Sequence, residues 1–167
     1  MEKIRLLVAD DHAIVRQGIL SLLSSYEDIE VVGESESAAA ALSDVERLRP
    51  DVVLLDIRMP GPTGIDVAQR LRRSHPETKV LILTAHDDDE YLMDALRAGV
   101  HGYLLKNTAH EVLASAVRAV HAGQKLLTSE QVNKVLEQFE VLAWKQAREE
   151  SELTDMELKI LEHLASG

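Results

Sequence analysis

The sequence predicts a doubly wound α/β fold with a parallel sheet, followed by a helical extension. Three observations carry that expectation. Short apolar runs alternate with amphipathic stretches, giving five strand–helix units in about 120 residues. The runs Val52–Leu55 and Val80–Leu83 have no polar alternation, as strands buried on both faces require. After Gly123 the alternation stops and a long stretch without Gly or Pro begins at Leu127.

The elements follow in order. Ile4–Ala9 reads as a strand, and Ala13–Ser24 as a helix with Ile14, Ile19, Leu20, Leu22 and Leu23 as its apolar positions. A second strand covers Ile29–Gly33, then an Ala-rich helix runs over Ala38–Leu48 and is stopped by Pro50. Asp51–Asp56 holds the third strand, and the turn cluster Met-Pro-Gly-Pro-Thr-Gly at 59–64 follows it. Helix Ile65–Ser74, strand Lys79–Thr84, helix Asp89–Ala98, strand Tyr103–Leu105 and helix His110–Ala122 complete the alternation, with Gly99 and Gly123 where helix C-caps belong. The acidic run Asp87-Asp88-Asp89-Glu90 suits the positive end of the fourth helix.

Composition narrows the function. The chain has 167 residues and a net charge of −11, with 46% apolar residues, enough for a sizeable core. There is no cysteine, so disulfides, thiolate catalysis and Cys-zinc sites are excluded. Seven histidines are present, but no H-x-x-x-H or H-E-x-x-H pair occurs, which argues against zinc. No apolar run approaches membrane-spanning length and no signal-peptide layout is seen, so a soluble cytoplasmic protein is expected. Nucleic-acid affinity rests on neutralising phosphates. The first 125 residues carry 14 basic and 20 acidic side chains and the last 42 carry 4 and 9, so this polypeptide is a poor DNA binder.

Ligands of doubly wound sheets bind outside the carboxyl ends of the strands. Those ends carry Asp10-Asp11, Asp56, Thr84 and, just past the fifth strand, Lys106. Three ionised carboxylates at close range repel, so either one stays protonated or a hard cation sits among them. Mg²⁺ suits oxygen ligands and keeps room for a phosphoryl oxygen. With an ammonium from Lys106 and a hydroxyl from Thr84, the set can accept a phosphoryl group on a carboxylate. Taken singly, each residue has a plainer reading: Asp as a turn or helix cap, Thr84 as a satisfied hydroxyl, Lys106 as a solvated charge, Tyr103 as core. Their joint position at one rim favours chemistry.

At these residues the chain resembles the receiver domain of two-component response regulators. Asp10-Asp11, Asp56 in L-L-D-I-R-M-P-G, Thr84-Ala85, Tyr103 and Lys106 all match that pattern, over residues 1 to about 125. The resemblance implies a flavodoxin-like (βα)5 fold with sheet order 2-1-3-4-5. It implies Asp56 as acceptor of a phosphoryl group from a histidine kinase, with Mg²⁺ on Asp10, Asp11, Asp56 and the backbone carbonyl of Arg58. It further implies that Thr84 and Tyr103 act as a switch, and that Arg58 and His86 tune rates. Such a domain accepts phosphate and loses it slowly, and is not a turnover enzyme. A rival class, the Mg-dependent haloacid-dehalogenase-type phosphatases, needs an acid two residues after the nucleophile, where this chain has Arg58. A phosphorylation-independent interaction module is the third reading.

The remainder is read as two segments. Val132, Val135, Leu136, Phe139, Leu142 and Ala143 form one apolar stripe on a linker helix over 126–151, with a hydrophilic break at Arg148–Ser151. That stripe packs on its own domain or pairs with a second copy in a homodimer. A last short helix is expected from Thr154, with Glu157 completing a capping box. Leu153, Met156, Ile160, Leu161 and Leu164 form its apolar face. Residues 152–167 are similar to the opening helix of the LuxR-type helix-turn-helix domain, with Met156 in place of the usual Arg. Together with the receiver pattern this resembles the NarL/FixJ type of transcriptional regulator. The sequence then reads as a truncated form, with DNA a partner of the full-length protein only.

Overall fold

The computed structural model describes residues 2–85, 88–107 and 109–166, with backbone only over 109–111. Five strands form one sheet: β1 (Ile4–Ala9), β2 (Ile29–Ser35), β3 (Val52–Leu55), β4 (Lys79–Thr84) and β5 (Gly102–Leu105). Their order is β2-β1-β3-β4-β5 and every pairing is parallel. Between them run α1 (Ala13–Leu23), α2 (Ala38–Leu48), α3 (Gly64–Ser74) and α4 (Asp89–Arg97), and α5 (Ala109–His121) follows β5. The predicted fold and order both hold.

The central strands owe their position to composition. All four residues of β3 are buried, and β1 and β4 are buried along nearly their whole length. One core layer joins Leu6, Val8, Val52, Leu54, Leu81 and Leu83 of the sheet to Ile19, Leu23, Leu113 and Val117 of the helices. Full burial of each such side chain is worth roughly 1.5–3 kcal/mol. Ile14 departs from the expectation, being 89% exposed. It lies one position out of phase with Val15, Ile19 and Leu22, which do pack against the core.

Local signals set the helix ends. In α3, Thr63 caps Asp66 N–H and the Asp66 carboxylate accepts from Thr63 N–H at 3.0 Å, a reciprocal capping box. Gly99 and Gly123 adopt φ +85° and +89°, the left-handed conformation expected of C-caps. Asp88 sits at the N-cap of α4 without a side-chain capping bond, while Asp89 and Glu90 occupy the first turn. Asp87 lies outside the described residues.

Residues fall into two compact units, Met1–Leu127 and Thr128–Gly167. The first extends past α5, because Leu126 N–H donates to His101 O at 2.8 Å and Leu126 bridges Gly102. The second is a single helix, α6 (Ser129–Ser166), 38 residues and about 57 Å long. Here the expectation of a break at 148–151 and a new helix at Thr154 is corrected. The backbone stays helical throughout, and Thr154 Oγ1 donates to Glu150 O at 2.8 Å as a mid-helix side chain does. A Thr-x-x-Glu pattern caps only where the chain leaves helical geometry, and no Gly or Pro forces that here. The true capping box is upstream: Thr128 N–H donates to Gln131 Oε1 at 2.9 Å, and Gln131 N–H to Thr128 Oγ1 at 3.1 Å. Along α6 Leu136, Phe139, Leu153, Met156, Ile160 and Leu164 are all exposed. Among the described residues no helix is long and apolar enough to cross a membrane.

Candidate functional site

The sheet order brings the ends of β1 and β3 side by side, because the two strands pair directly through Ala9 and Leu55. Asp10 and Asp56 are the next residues on each. Their backbones are pinned: Asp10 N–H donates to Ser35 O at 3.0 Å and Asp56 N–H to Ala9 O at 2.9 Å. Gly64 N–H donates to Ile57 O at 2.7 Å, which folds the 57–63 loop back onto the strand end. A Cβ at Gly64 would collide with the Asp56 carbonyl, so only glycine allows this approach.

Asp10 and Asp56 are buried, whereas Asp11 is exposed. One ligand atom from each of Asp10, Asp11, His12 and Asp56 lies within 4.8 Å of the others. Lys106 reaches the same cup from the end of β5, with Nζ 2.7 Å from Asp10 Oδ2 and 3.3 Å from Asp56 Oδ2. Burial, then repulsion from Asp10, pushes the Asp56 carboxyl above its ordinary value. The Lys106 ammonium and the Arg58 N–H pull the other way without reversing it. Burial would lower Lys106, but the carboxylates of Asp10 and Asp56 outweigh it and hold the ammonium more firmly protonated than usual.

Thr84 ends β4 with no exposed surface, and its carbonyl accepts from Lys106 N–H at 2.7 Å, tying the two strand ends together. Tyr103 is 1% exposed, so its ring is already inside the protein. The Arg58 side chain reaches Tyr91. Its Nη2 lies 3.4 Å from Tyr91 Oη and its guanidinium 5.8 Å from the centre of that ring. His86 lies outside the described residues. Motif spacing does not point to His12, because its partners are its own chain neighbours and a strand end far along the sequence; its signal in the sequence is its place directly after Asp10-Asp11.

The donor set fits a hard divalent ion: carboxylate oxygens from two adjacent strand ends, one of them solvent-facing. A buried carboxylate beside an ammonium, in a cup that could hold a cation, is an arrangement suited to binding a phosphoryl group.

Comparison with known proteins specifies the class. The family model for the response regulator receiver domain matches residues 6–118. The chain is similar to the oxygen regulatory protein NreC of Staphylococcus epidermidis, at 39% identity over 98% of this chain and 78% of that one. It is also similar to the response regulator GacA of Pseudomonas viridiflava, at 39% identity over 75% of this chain and 58% of that protein. Among solved structures, the receiver domain of the response regulator NarL from Mycobacterium tuberculosis aligns with a TM-score of 0.72 and 40% identity, over 74% of this chain and all of that one. A LuxR-family DNA-binding response regulator from Staphylococcus aureus aligns with a TM-score of 0.67 and 31% identity, over 71% and 98%. The chain belongs to the response regulator receiver family, and is a two-component response regulator of the NarL/LuxR type.

Proposed function

We propose that Asp56 is the phospho-acceptor and that the donor is the phosphohistidine of a sensor kinase. The observation that carries this is the convergence of Asp56, Asp10 and Lys106 in one cup at the strand ends. An Asp56 carboxylate oxygen attacks phosphorus, the P–N bond breaks, and its electron pair leaves with the imidazole. Lys106 neutralises charge on the transferred group and Thr84 donates to one of its oxygens. Asp10, Asp11, Asp56 and the Arg58 carbonyl would hold Mg²⁺, which when bound supplies further charge neutralisation at the phosphoryl oxygens. Because Tyr103 is already buried, the switch at this face works by repacking around Thr84 and not by carrying an exposed ring inward.

The phosphatase reading is disfavoured by Arg58. The position that would need a proton-donating carboxyl holds a guanidinium turned towards Tyr91. Residues 152–167 are read as the first helix of a LuxR-type DNA-binding domain, supported by relatives that extend beyond the matched region. In the cytoplasm, the full-length protein would then couple phosphorylation to DNA binding and transcription. The test is labelling with radioactive acetyl phosphate and Mg²⁺. Wild type is expected to take up at most one phosphoryl group and Asp56→Asn less than about 5% of that. Equal labelling of the two, or many turnovers on small phosphoesters, would sink the reading.

A further inference from the structure

We propose that His12 is a nitrogen ligand of the cation cup and gives it a preference for divalent transition ions over Mg²⁺. The inference rests on the reading of Asp10, Asp11 and Asp56 as cation ligands, and adds a donor that this reading leaves out. Its support is geometric. His12 Nδ1 lies 2.9 Å from Asp11 Oδ1 and 3.2 Å from Asp10 Oδ1, on the cup side of the ring. One ligand atom from each of Asp10, Asp11, His12 and Asp56 falls within 4.8 Å of the others. An octahedral ion with bonds of about 2.1 Å sets adjacent ligand atoms about 3.0 Å apart and opposite ones about 4.2 Å apart. The Nδ1–Oδ1 separations of 2.9 and 3.2 Å match adjacent positions around such an ion, with all four residues offering a donor within 4.8 Å.

The side-chain partners of the imidazole are the carboxylates of the cup itself, Asp10 and Asp11, within hydrogen-bond distance of Nδ1. His12 is the N-cap residue of α1, yet its side chain makes no capping bond and is 66% exposed. What holds the residue in place is its backbone, whose N–H donates to Asp10 Oδ1 at 2.8 Å. That bond orients the Asp10 carboxylate and sets the His12 Cβ beside it, so the ring is delivered to the cup without being buried.

Ion chemistry turns this placement into selectivity. Mg²⁺ prefers oxygen and retains its waters, so a nearby imidazole adds little to its affinity. Co²⁺, Ni²⁺ and Zn²⁺ accept imidazole readily. The same cup then holds Mg²⁺ through oxygen alone and the later ions through oxygen and nitrogen. A motif search for paired histidines misses such a site, since it uses one histidine with carboxylates from two strands.

The experiment is calorimetric titration of the whole chain and of His12→Ala with Mg²⁺, Co²⁺ and Zn²⁺. The ¹⁵N resonances of the His12 ring are followed during Zn²⁺ addition. His12→Ala is expected to weaken Co²⁺ and Zn²⁺ at least about tenfold while leaving Mg²⁺ within about twofold. In wild type, Zn²⁺ is expected to move Nδ1 much more than Nε2. Should the alanine variant lose structure by circular dichroism, His12→Asn serves instead, because Asn is a favoured N-cap residue. Equal weakening for all three ions, no weakening for any, or an unmoved Nδ1 at Zn²⁺ saturation overturns the assignment. Failure of every divalent ion to bind wild type refutes the underlying cation cup instead. Normal Mg²⁺ binding with no Co²⁺ effect refutes the role of His12 alone.

Discussion

His101 gives the fold a defined sensitivity to acid. Its backbone N–H donates to Val80 O at 2.8 Å, and its ring Nδ1 accepts from Val80 N–H at 3.1 Å. The second bond needs a neutral ring with its hydrogen on Nε2. Burial first, then the charges of Lys125 and Lys79, lowers the group from 6.5 to about 4. The sign follows from proton binding. Between these values the unfolded chain is protonated and the folded one is not, so stability falls as pH drops from about 6.5 towards 4 and levels off below. The full displacement corresponds to at most about 3 kcal/mol, of which about 2 kcal/mol would be lost by pH 5. His101 lines a solvent-reaching cleft with Arg72 and Lys125, so screening reduces this to about 1 kcal/mol. His101→Asn keeps an acceptor near Val80 N–H and cannot titrate. Urea unfolding followed by circular dichroism should show wild type losing about 1 kcal/mol more than the variant between pH 7 and pH 5. Parallel curves for the two proteins, or a His101 titration near 6.5 by NMR, would refute the account.

Two further outcomes follow from the cup. Lys106→Met leaves Asp10 and Asp56 facing each other without the ammonium at 2.7 and 3.3 Å. Stability at pH 7 should fall by about 1–3 kcal/mol and recover with millimolar Mg²⁺ to a greater extent than wild type gains; equal Mg²⁺ increments in urea unfolding would contradict it. Gly64→Ala drives a methyl group against the Asp56 carbonyl and Ile57 Cα. It should cost about 3 kcal/mol, lowering Tm by roughly 10 °C, and slow phosphoryl uptake by displacing Asp56; an unchanged Tm would show that the loop yields freely.

Much of this protein could be read from the chain itself. The buried runs Val52–Leu55 and Val80–Leu83 announce parallel strands, because only a sheet covered on both faces tolerates uninterrupted apolar side chains. Residues at strand ends, Asp10, Asp56 and Lys106, are legible for the same reason: the topology of a doubly wound sheet sends such ends to one rim. Other features depend on contacts between segments distant in sequence. The rise of the Asp56 pKa needs burial and Asp10 beside it, and neither is a property of the heptapeptide around Asp56. The pairing of Arg58 with Tyr91 and the approach of Asp56 to the Asp10–His12 segment likewise arise from elements that meet only in three dimensions. On α6 the lesson is local: Thr128 caps and Thr154 does not, though both have a partner three residues on. Residue type makes a cap available, and the backbone geometry around it decides whether the cap is used.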